Sequence, residues 1–266
     1  MISPKPWFCA AKGKRDTMED IHIISAKPHW FLFAVCDGHG GDDVVRYFET
    51  HLESFLHQHL NSITHVQDEN LINTAITDMC IQLDRNLHSA LQTQAQNCGS
   101  TLTFVAINRV QNKLIQVNVG DSRSVVLKEG KERMSETTDH KPTSKSEMDR
   151  IQKAGGKVVH HRVNGKLALS RAFGDFSFKK TQTSLFDCIS GPVCVIPEVK
   201  HSSLSLNHAY QIIVACDGIW DTMNSLESLK IAFSYHKHNN PAQAVVLESY
   251  KRGSSDNMTC LVISIR

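Results

Sequence analysis

Residues 31–41 have the sequence FLFAVCDGHGG, an apolar run that stops at an acid and is followed by glycines. A short apolar run bounded by turn residues predicts a buried β-strand rather than a helix. The glycines permit unusual backbone angles and let a ligand approach the main chain closely. Asp37 at the end of this predicted strand, with His39 two residues later, therefore indicates a functional site rather than a plain hairpin.

A second apolar run, residues 211–218 with the sequence QIIVACDG, ends in the same Cys-Asp-Gly phrase. Neighbouring strands of a sheet lie about 4.8 Å apart. If the two strands are neighbours, the carboxylates of Asp37 and Asp217 can share one cation, or hold two cations as dinuclear hydrolases do. The sequence by itself leaves open whether the strands are neighbours.

Length, composition and charge are those of an ordinary globular protein. The chain has 266 residues, 41% of them hydrophobic, and a net charge of +2 without any run of Lys or Arg. This balance gives no electrostatic case for nucleic acid. The apolar runs fall short of the ~20 residues that a membrane-spanning helix needs, and the first residues lack the pattern of a signal peptide. We expect a monomer that has neither a nucleic acid nor a membrane as partner.

The eight cysteines are scattered along the chain, with no CxxC pair. Cys36, Cys194, Cys216 and Cys260 lie in apolar, strand-like contexts, where a cysteine packs as a small hydrophobic residue. We therefore expect reduced thiols and a cytoplasmic or nucleocytoplasmic location. A structural zinc site is disfavoured because the usual Cys/His ligand spacings are missing.

Hydrophobic periodicity outlines the fold. It predicts helices over about 44–60 and 71–91, after 144, near 225–233 and near 241–250, and strands over 101–108, 113–119, 122–128 and 259–265. Residues 158–167 indicate a hairpin with an Asn164-Gly165 turn. Because no linker divides the chain, we treat residues 1–266 as one α+β domain with a largely antiparallel core. Residues 176–197 lack periodicity and are interpreted as a surface loop or flap.

Acids stand beside several of the predicted strands. Their oxygen ligands suit hard cations such as Mg²⁺ or Mn²⁺ far better than soft metals. A dinuclear carboxylate site can lower the pKa of a bridging water until hydroxide forms near neutral pH, so its natural chemistry is phosphoester hydrolysis. The four acids that we single out first are Glu19, Asp37, Asp217 and Asp256.

Two of the acidic stretches have an ordinary interpretation when taken alone. The charged cluster of Arg15, Glu19 and Asp20 is typical of a solvated turn. Asp121 follows a glycine and is typical of a tight turn. Beside the other strand-end acids, however, the cluster at 15–20 becomes a candidate for phosphate and metal contact.

In a phosphoester hydrolase, Arg15 would bind the phosphate through its planar fork of donors. His39 would protonate the leaving oxygen as a general acid. No protein nucleophile is needed. Cys36 and Cys216 lie inside apolar runs rather than in a Cys-x5-Arg loop, and residues 38–41 lack the Gly-Lys-Ser/Thr ending of a P-loop.

Six short motifs carry a resemblance to a known family. The chain closely resembles the metal-dependent PPM protein phosphatases, also called protein phosphatase type 2C, and the motifs follow one another in the family's order. The motifs are RDTMED at 15–20, DGHGG at 37–41, GDSR at 120–123, SRAFGD at 170–175, DGIWD at 217–221 and SDNMT at 255–259.

The resemblance implies a fold and a set of metal ligands. The fold would be a central sandwich of two antiparallel β-sheets flanked by α-helices, a four-layer αββα arrangement, with two Mg²⁺ or Mn²⁺ ions at one end. Asp37 would bridge both ions. The other implied residues are Asp217 and Asp256 on one side, Glu19 and the Gly38 carbonyl on the other, Asp20 through a bound water, and Asp121 and Asp221 with Asp217 for a weaker third ion found in some family members.

The resemblance also implies an activity, the hydrolysis of phosphoserine and phosphothreonine in proteins by direct attack of a metal-bridging hydroxide, with His39 as general acid. The expected partner is then a phosphorylated protein. One alternative is a catalytically silent relative that binds a partner through the same fold, which the full set of metal carboxylates disfavours. Another is a hydrolase of small phosphoesters or nucleic acid, and the near-neutral charge weighs against nucleic acid.

Overall fold

The computed structural model describes residues 2–130, 135–181, 183–234 and 239–266. Within these ranges, two antiparallel β-sheets lie face to face and helices cover their outer surfaces. The α+β class and the predicted αββα sandwich are therefore confirmed.

The strands are numbered in chain order. Five of them form one antiparallel sheet, in the spatial order β1 (Pro4–Ala11), β14 (Met258–Ile265), β13 (Tyr210–Ala215), β7 (Arg123–Lys128) and β8 (Ser135–Glu136). Seven form the second sheet, in the order β11 (Phe173–Gly174), β4 (Gly99–Ser100), β3 (Trp30–His39), β5 (Leu102–Asn108), β6 (Lys113–Val119) and β12 (Glu198–Ser203), with β2 (Asp20–Ala26) also paired to β3. A separate two-stranded hairpin consists of β9 (Val158–Val159) and β10 (Arg162–Val163).

The helices agree closely with the periodicity of the sequence. They are α1 (Asp43–Ser62), α2 (Glu69–Leu91), α3 (Lys145–Lys153), α4 (Asp217–Trp220), α5 (Ser225–Ser234) and α6 (Pro241–Lys251). The apolar faces of α1 and α2 pack on the seven-stranded sheet, and those of α5 and α6 pack on the five-stranded sheet. No helix in the described ranges combines the length and the apolar character needed to cross a bilayer.

Strand β3 lies at the centre of the sandwich because both of its faces are buried. Leu32 and Ala34 pack into the core under α1 and α2, whereas Phe33 and Val35 pack against the other sheet. Successive side chains of a strand point to opposite faces, so a continuous apolar run suits a strand between two layers. Burial of each large side chain contributes roughly 1.5–3 kcal/mol.

The structure corrects the predicted end of β3. The strand does not stop at Asp37, because Gly38 and His39 continue the ladder opposite Ser100 and Gly99 of β4. The Asp37 side chain is therefore held by regular sheet structure on both sides rather than by a turn.

The turn of the short hairpin also differs from the prediction. Arg162 pairs with Val159, so the hairpin turns at His160 and His161, which both have left-handed backbone angles (φ 49° and 63°). The predicted Asn164-Gly165 turn does form, but it closes a second loop, between Val163 and Leu167. Asn-Gly is a strong turn signal, yet the pairing of the strands decides which turn joins them.

Residues 176–197, interpreted above as a surface loop or flap, contribute buried side chains, although residue 182 lies outside the described residues. A 3₁₀ turn (Phe176–Phe178) is followed by Lys179, whose Nζ lies 2.7 Å from Asp84 Oδ2 on α2; both of these side chains are fully buried. Lys179 also donates to the Ala172 carbonyl, and Asp84 accepts from the Gly174 amide. Buried charges persist only with such full sets of partners.

Replacing Lys179 by Met should leave the buried Asp84 carboxylate without its cation. We expect the free energy of unfolding to fall by about 3–5 kcal/mol, measured by urea denaturation. Lys180 is exposed, so Lys180→Met is the matched control and should change the value by less than about 0.5 kcal/mol. Equal effects of the two substitutions would contradict a structural role for the ion pair.

Candidate metal centre and active site

Acidic side chains meet at one end of the sandwich. Asp20 on β2 lies directly opposite Asp37 on β3, and ligand atoms of these two residues and Cys216 lie within 4.8 Å of one another. The Cys216 thiol is occupied, because it donates to the Asn257 carbonyl and accepts from the Thr259 amide. Burial raises the pKa of Cys216 well above its usual range, so the cluster presents carboxylates and a neutral thiol.

Asp217 reaches this cluster from the other sheet. It follows β13, and β3 and β13 belong to different sheets, so the two strands are not neighbours in one ladder. They contact each other across the sandwich, and the charge of Asp217 acts on the Asp37 carboxyl. Packing of one sheet on the other therefore brings the two Cys-Asp-Gly phrases together.

The pKa values of these acids show how crowded they are. Burial, then the charges of Asp20 and Asp217, raise the pKa of Asp37 well above its usual range. Burial raises the pKa of Asp20 to about 6, and burial followed by the charge of Asp121 raises that of Asp217 to about 7. Neither carboxylate oxygen of Asp20 has a hydrogen-bond partner within the described residues. Crowded oxygens that lack donors fit a divalent cation, which would offset the repulsion.

Glu19 is brought to the cluster by its backbone. The Gly38 amide donates to the Glu19 carbonyl at 3.0 Å, and a Cβ at Gly38 would lie 2.6 Å from that oxygen, so only glycine permits this approach. The Asn257 side chain accepts from the Glu19 amide and donates to the carbonyls of Lys12 and Thr17. Sequence reasoning missed Asn257, whose only signal is its place beside Asp256 in the SDNMT motif.

Arg15 lies at the rim of the cluster. Its Nη2 is 2.6 Å from Asp256 Oδ2, and 58% of the Arg15 side chain is exposed. The structure thus joins the predicted phosphate ligand to a predicted metal ligand, with most of the guanidinium open to solvent.

Lys141 is a second residue that sequence reasoning missed. Its Nζ lies 2.8 Å from Asp121 Oδ2 and 3.8 Å from Asp221 Oδ1, two of the three acids that the resemblance implies for a third ion. Although burial opposes it, the charge of Asp121 raises the pKa of Lys141 above its usual value. In the sequence, Lys141 stands in a polar loop, and no feature of its context distinguishes it from an ordinary solvent-exposed lysine.

His39 has a buried carboxylate as its partner. Its Nε2 lies 2.6 Å from Oδ2 of Asp175, whose side chain is 1% exposed. Burial lowers the pKa of His39, but the charge and hydrogen bond of Asp175, together with the charges of Asp121 and Glu19, outweigh burial and raise it. A Cβ at Gly99 would overlap the Asp175 carboxylate and come within 2.7 Å of His39 Nε2, so glycine leaves room for the pair.

Asp175 is held in a left-handed backbone conformation (φ 51°), and its amide donates to the Cys98 carbonyl at 2.9 Å. Asp tolerates this conformation better than most residues. Asp175 stands in the SRAFGD motif, but chemistry alone gives no reason to connect it with His39, which lies 136 residues away in the chain.

Fold and site together define an αββα protein with an acidic, cation-fitting cluster where its two sheets meet. The sequence model of the family described as "Protein phosphatase 2C" matches residues 5–258. The chain belongs to this family, as the motifs predict.

Two relatives and one solved structure illustrate the likeness. The chain is 34% identical over 264 residues to "Probable protein phosphatase 2C 45" of Oryza sativa subsp. japonica, covering 96% of this chain and 86% of the relative. It is 32% identical over 267 residues to "Probable protein phosphatase 2C 76" of Arabidopsis thaliana, covering 97% of this chain but only 58% of that relative's length. The crystal structure of a phosphatase from a pathogenic strain of Toxoplasma gondii superposes with a TM-score of 0.83 at 24% identity, covering 98% of this chain and 94% of the other, and supports the fold alone.

Because the carboxylates repel one another, Asp217→Asn should have opposite effects on thermal stability with and without a cation. In EDTA, loss of one buried negative charge should raise the melting temperature, by about 2–4 °C per kcal/mol of repulsion relieved. In Mn²⁺, the variant should gain less stability than the wild type because it has lost a ligand. Thermal denaturation in the two buffers measures both effects.

The same variant should alter the pH dependence. Because the pKa of Asp217 is raised to about 7, the folded state binds the proton more tightly than the unfolded state. Metal-free stability should therefore fall as the pH rises from about 4 to about 7, and Asp217→Asn should reduce this fall. Asp78→Asn on the exposed side of α2 is the matched control, and the same changes in both variants would contradict the assignment.

Proposed function

We propose that this chain is a metal-dependent protein phosphatase that hydrolyses phosphoserine and phosphothreonine monoesters. The observation that carries the proposal is the cluster of Asp20, Asp37 and Asp217 where the two sheets of a protein phosphatase 2C fold meet, in which the Asp20 oxygens have no hydrogen-bond donor among the described residues. Two Mg²⁺ or Mn²⁺ ions, when bound, supply positive charge and a deprotonated water for attack at phosphorus.

The proposed ligands come from β2 and β3 of the seven-stranded sheet, from the loop that precedes β2, and from segments that adjoin the strands of the five-stranded sheet. Asp37 would contribute to holding both ions, because it lies opposite Asp20 in the ladder and its carboxyl is also acted on by the charge of Asp217. A third ion would have to compete with Lys141 for Asp121, which explains why it would bind more weakly. The remaining proposed metal-site residues are Glu19, Asp20, the Gly38 carbonyl, Asp217, Asp221 and Asp256.

Arg15 is proposed to bind the phosphate. Asp256 accepts a hydrogen bond from Nη2 of Arg15, which orients the guanidinium at the rim. The other donors of the guanidinium can then bind two phosphate oxygens. Placed there, Arg15 would hold the phosphoryl group in line with the cluster and balance part of its charge.

His39 is proposed as the general acid, with Asp175 as a positioning residue. Hydrogen bonding to the buried Asp175 carboxylate holds the imidazole in one orientation and favours its protonated form. The protonated imidazole can then transfer a proton to the leaving serine or threonine oxygen, an alkoxide that leaves poorly without one.

Phosphate release from a phosphothreonine peptide tests the activity. With Mn²⁺ or Mg²⁺ we expect turnover that EDTA abolishes, and Asp37→Asn should reduce it by at least about 100-fold because the cluster loses its central ligand. Asp78→Asn should match the wild type. Undiminished turnover by Asp37→Asn would overturn the metal assignment, and no turnover by folded wild-type protein would favour the silent, partner-binding alternative.

A leaving-group comparison tests His39 and Asp175. His39→Ala should slow a phosphothreonine peptide by about 10²–10⁴-fold in kcat, but p-nitrophenyl phosphate much less, because nitrophenolate leaves without a proton. Asp175→Asn keeps the size of the side chain and should show the same selective loss at smaller amplitude, with KM little changed.

The double variant of these two residues should be no slower than His39→Ala alone, because Asp175 is proposed to act through His39. Equal slowing of both substrates would argue against general-acid catalysis. Additive losses in the double variant would argue against the positioning role.

A further inference from the structure

One side of the active site is bordered by an unusually basic segment. Residues 150–174 contain no Asp or Glu. Arg150 and Arg171 are both held by the carboxylate of Glu147, at 3.0 and 2.5 Å. Four other basic side chains of the segment are exposed and form no ion pair with any residue that the structure describes: Lys153, Lys157, Arg162 and Lys166.

Most of these free charges stand on a rigid base, the hairpin of β9 and β10. Val163 of this hairpin is fully buried and packs in a small core with Ile151 and Phe178. The Lys157 amide donates to the Asn164 side chain at 2.9 Å, which pins the start of the hairpin to its end. A ligand would therefore meet basic groups whose backbone is already ordered, which lowers the cost of binding.

The hairpin also reaches the catalytic residues. Lys166 and Leu167 line a cavity of about 400 Å³ together with His39 and Asp175. His39 faces the leaving oxygen in the proposed reaction, so the peptide that carries this oxygen must pass through or beside the cavity. An extended peptide advances about 3.4 Å per residue, so residues a few positions from the phosphorylated one would lie over the hairpin.

We propose that the hairpin of residues 157–166 binds acidic side chains that flank the phosphorylated residue, so that acidic phosphopeptide segments are preferred substrates. The inference rests on the proposed function and adds a substrate class to it. Unpaired ammonium and guanidinium groups beside the reacting position complement Asp and Glu of a peptide. Each such exposed pair contributes modestly and is screened by salt, so the preference should be moderate and sensitive to ionic strength.

Matched phosphothreonine peptides test the proposal. One peptide carries several Glu before the phosphothreonine, a second carries them after it, and a third has Gln at all of these positions. Binding is measured by fluorescence anisotropy at low and at high salt, without turnover, and kcat/KM is measured separately with Mn²⁺. We expect an acidic peptide to be favoured over the Gln peptide by about 3- to 10-fold at low salt in both measurements.

The variants are chosen to have equal charge. Lys157→Gln/Lys166→Gln removes two charges from the hairpin and leaves Arg162, whose Nη1 supports the Lys166 carbonyl. Lys230→Gln/Lys251→Gln removes two exposed charges from α5 and α6. The hairpin variant should bring the ratio of acidic to Gln peptide close to one, whereas the control variant should keep the wild-type ratio.

The outcomes separate this inference from the proposed function. Equal binding of all peptides by the wild type, or the same loss of preference in both variants, would overturn the role of the hairpin whatever the turnover. A binding preference that depends on the hairpin would support it. Absence of phosphate release from every peptide would instead overturn the proposed catalytic function.

Discussion

Repulsion among buried carboxylates is the constraint on which the site depends. Asp20 and Asp37 are fixed opposite each other by a regular β-ladder, and Asp217 is pressed toward them by the packing of the second sheet. The ionised form of each carboxyl is less favourable in this cluster than in water, and the pKa values of the three acids are raised for that reason. Holding such groups together lowers the stability of the fold, and the proposed cations would offset this cost.

The surrounding residues stabilise the edge of this cluster through hydrogen bonds and an ion pair. Asn257 ties the Glu19 loop to the start of the last strand through backbone contacts. Lys141 neutralises Asp121 on the other side of the cluster. Neither residue donates to Asp20, whose oxygens have no donor in the part of the chain that the structure describes. These contacts order the edge of the cluster and leave the Asp20 oxygens available to the proposed metal ions.

A buried charged pair supports both the proposed general acid and the basic hairpin. Asp84 and Lys179 are buried between α2 and the segment that follows Asp175. This pair anchors the backbone that leads into Asp175, through the Ala172 carbonyl and the Gly174 amide. The proposed general acid, through Asp175, and the neighbouring Phe178 under the basic hairpin therefore share one support.

Sequence alone determined the longer helices and strands and the motif residues, because strand and helix periodicities and Gly-Asp phrases are local properties of the chain. It could not show that Asp37 and Asp217 meet across two sheets rather than along one. Nor could it show that His39 forms a hydrogen bond with Asp175, 136 residues away, or that Lys141 forms an ion pair with Asp121. Those contacts depend on the packing of the two sheets and on the space left by Gly99. Only the tertiary structure decides them, because the local sequence pattern of one segment does not depend on the segment that it will contact.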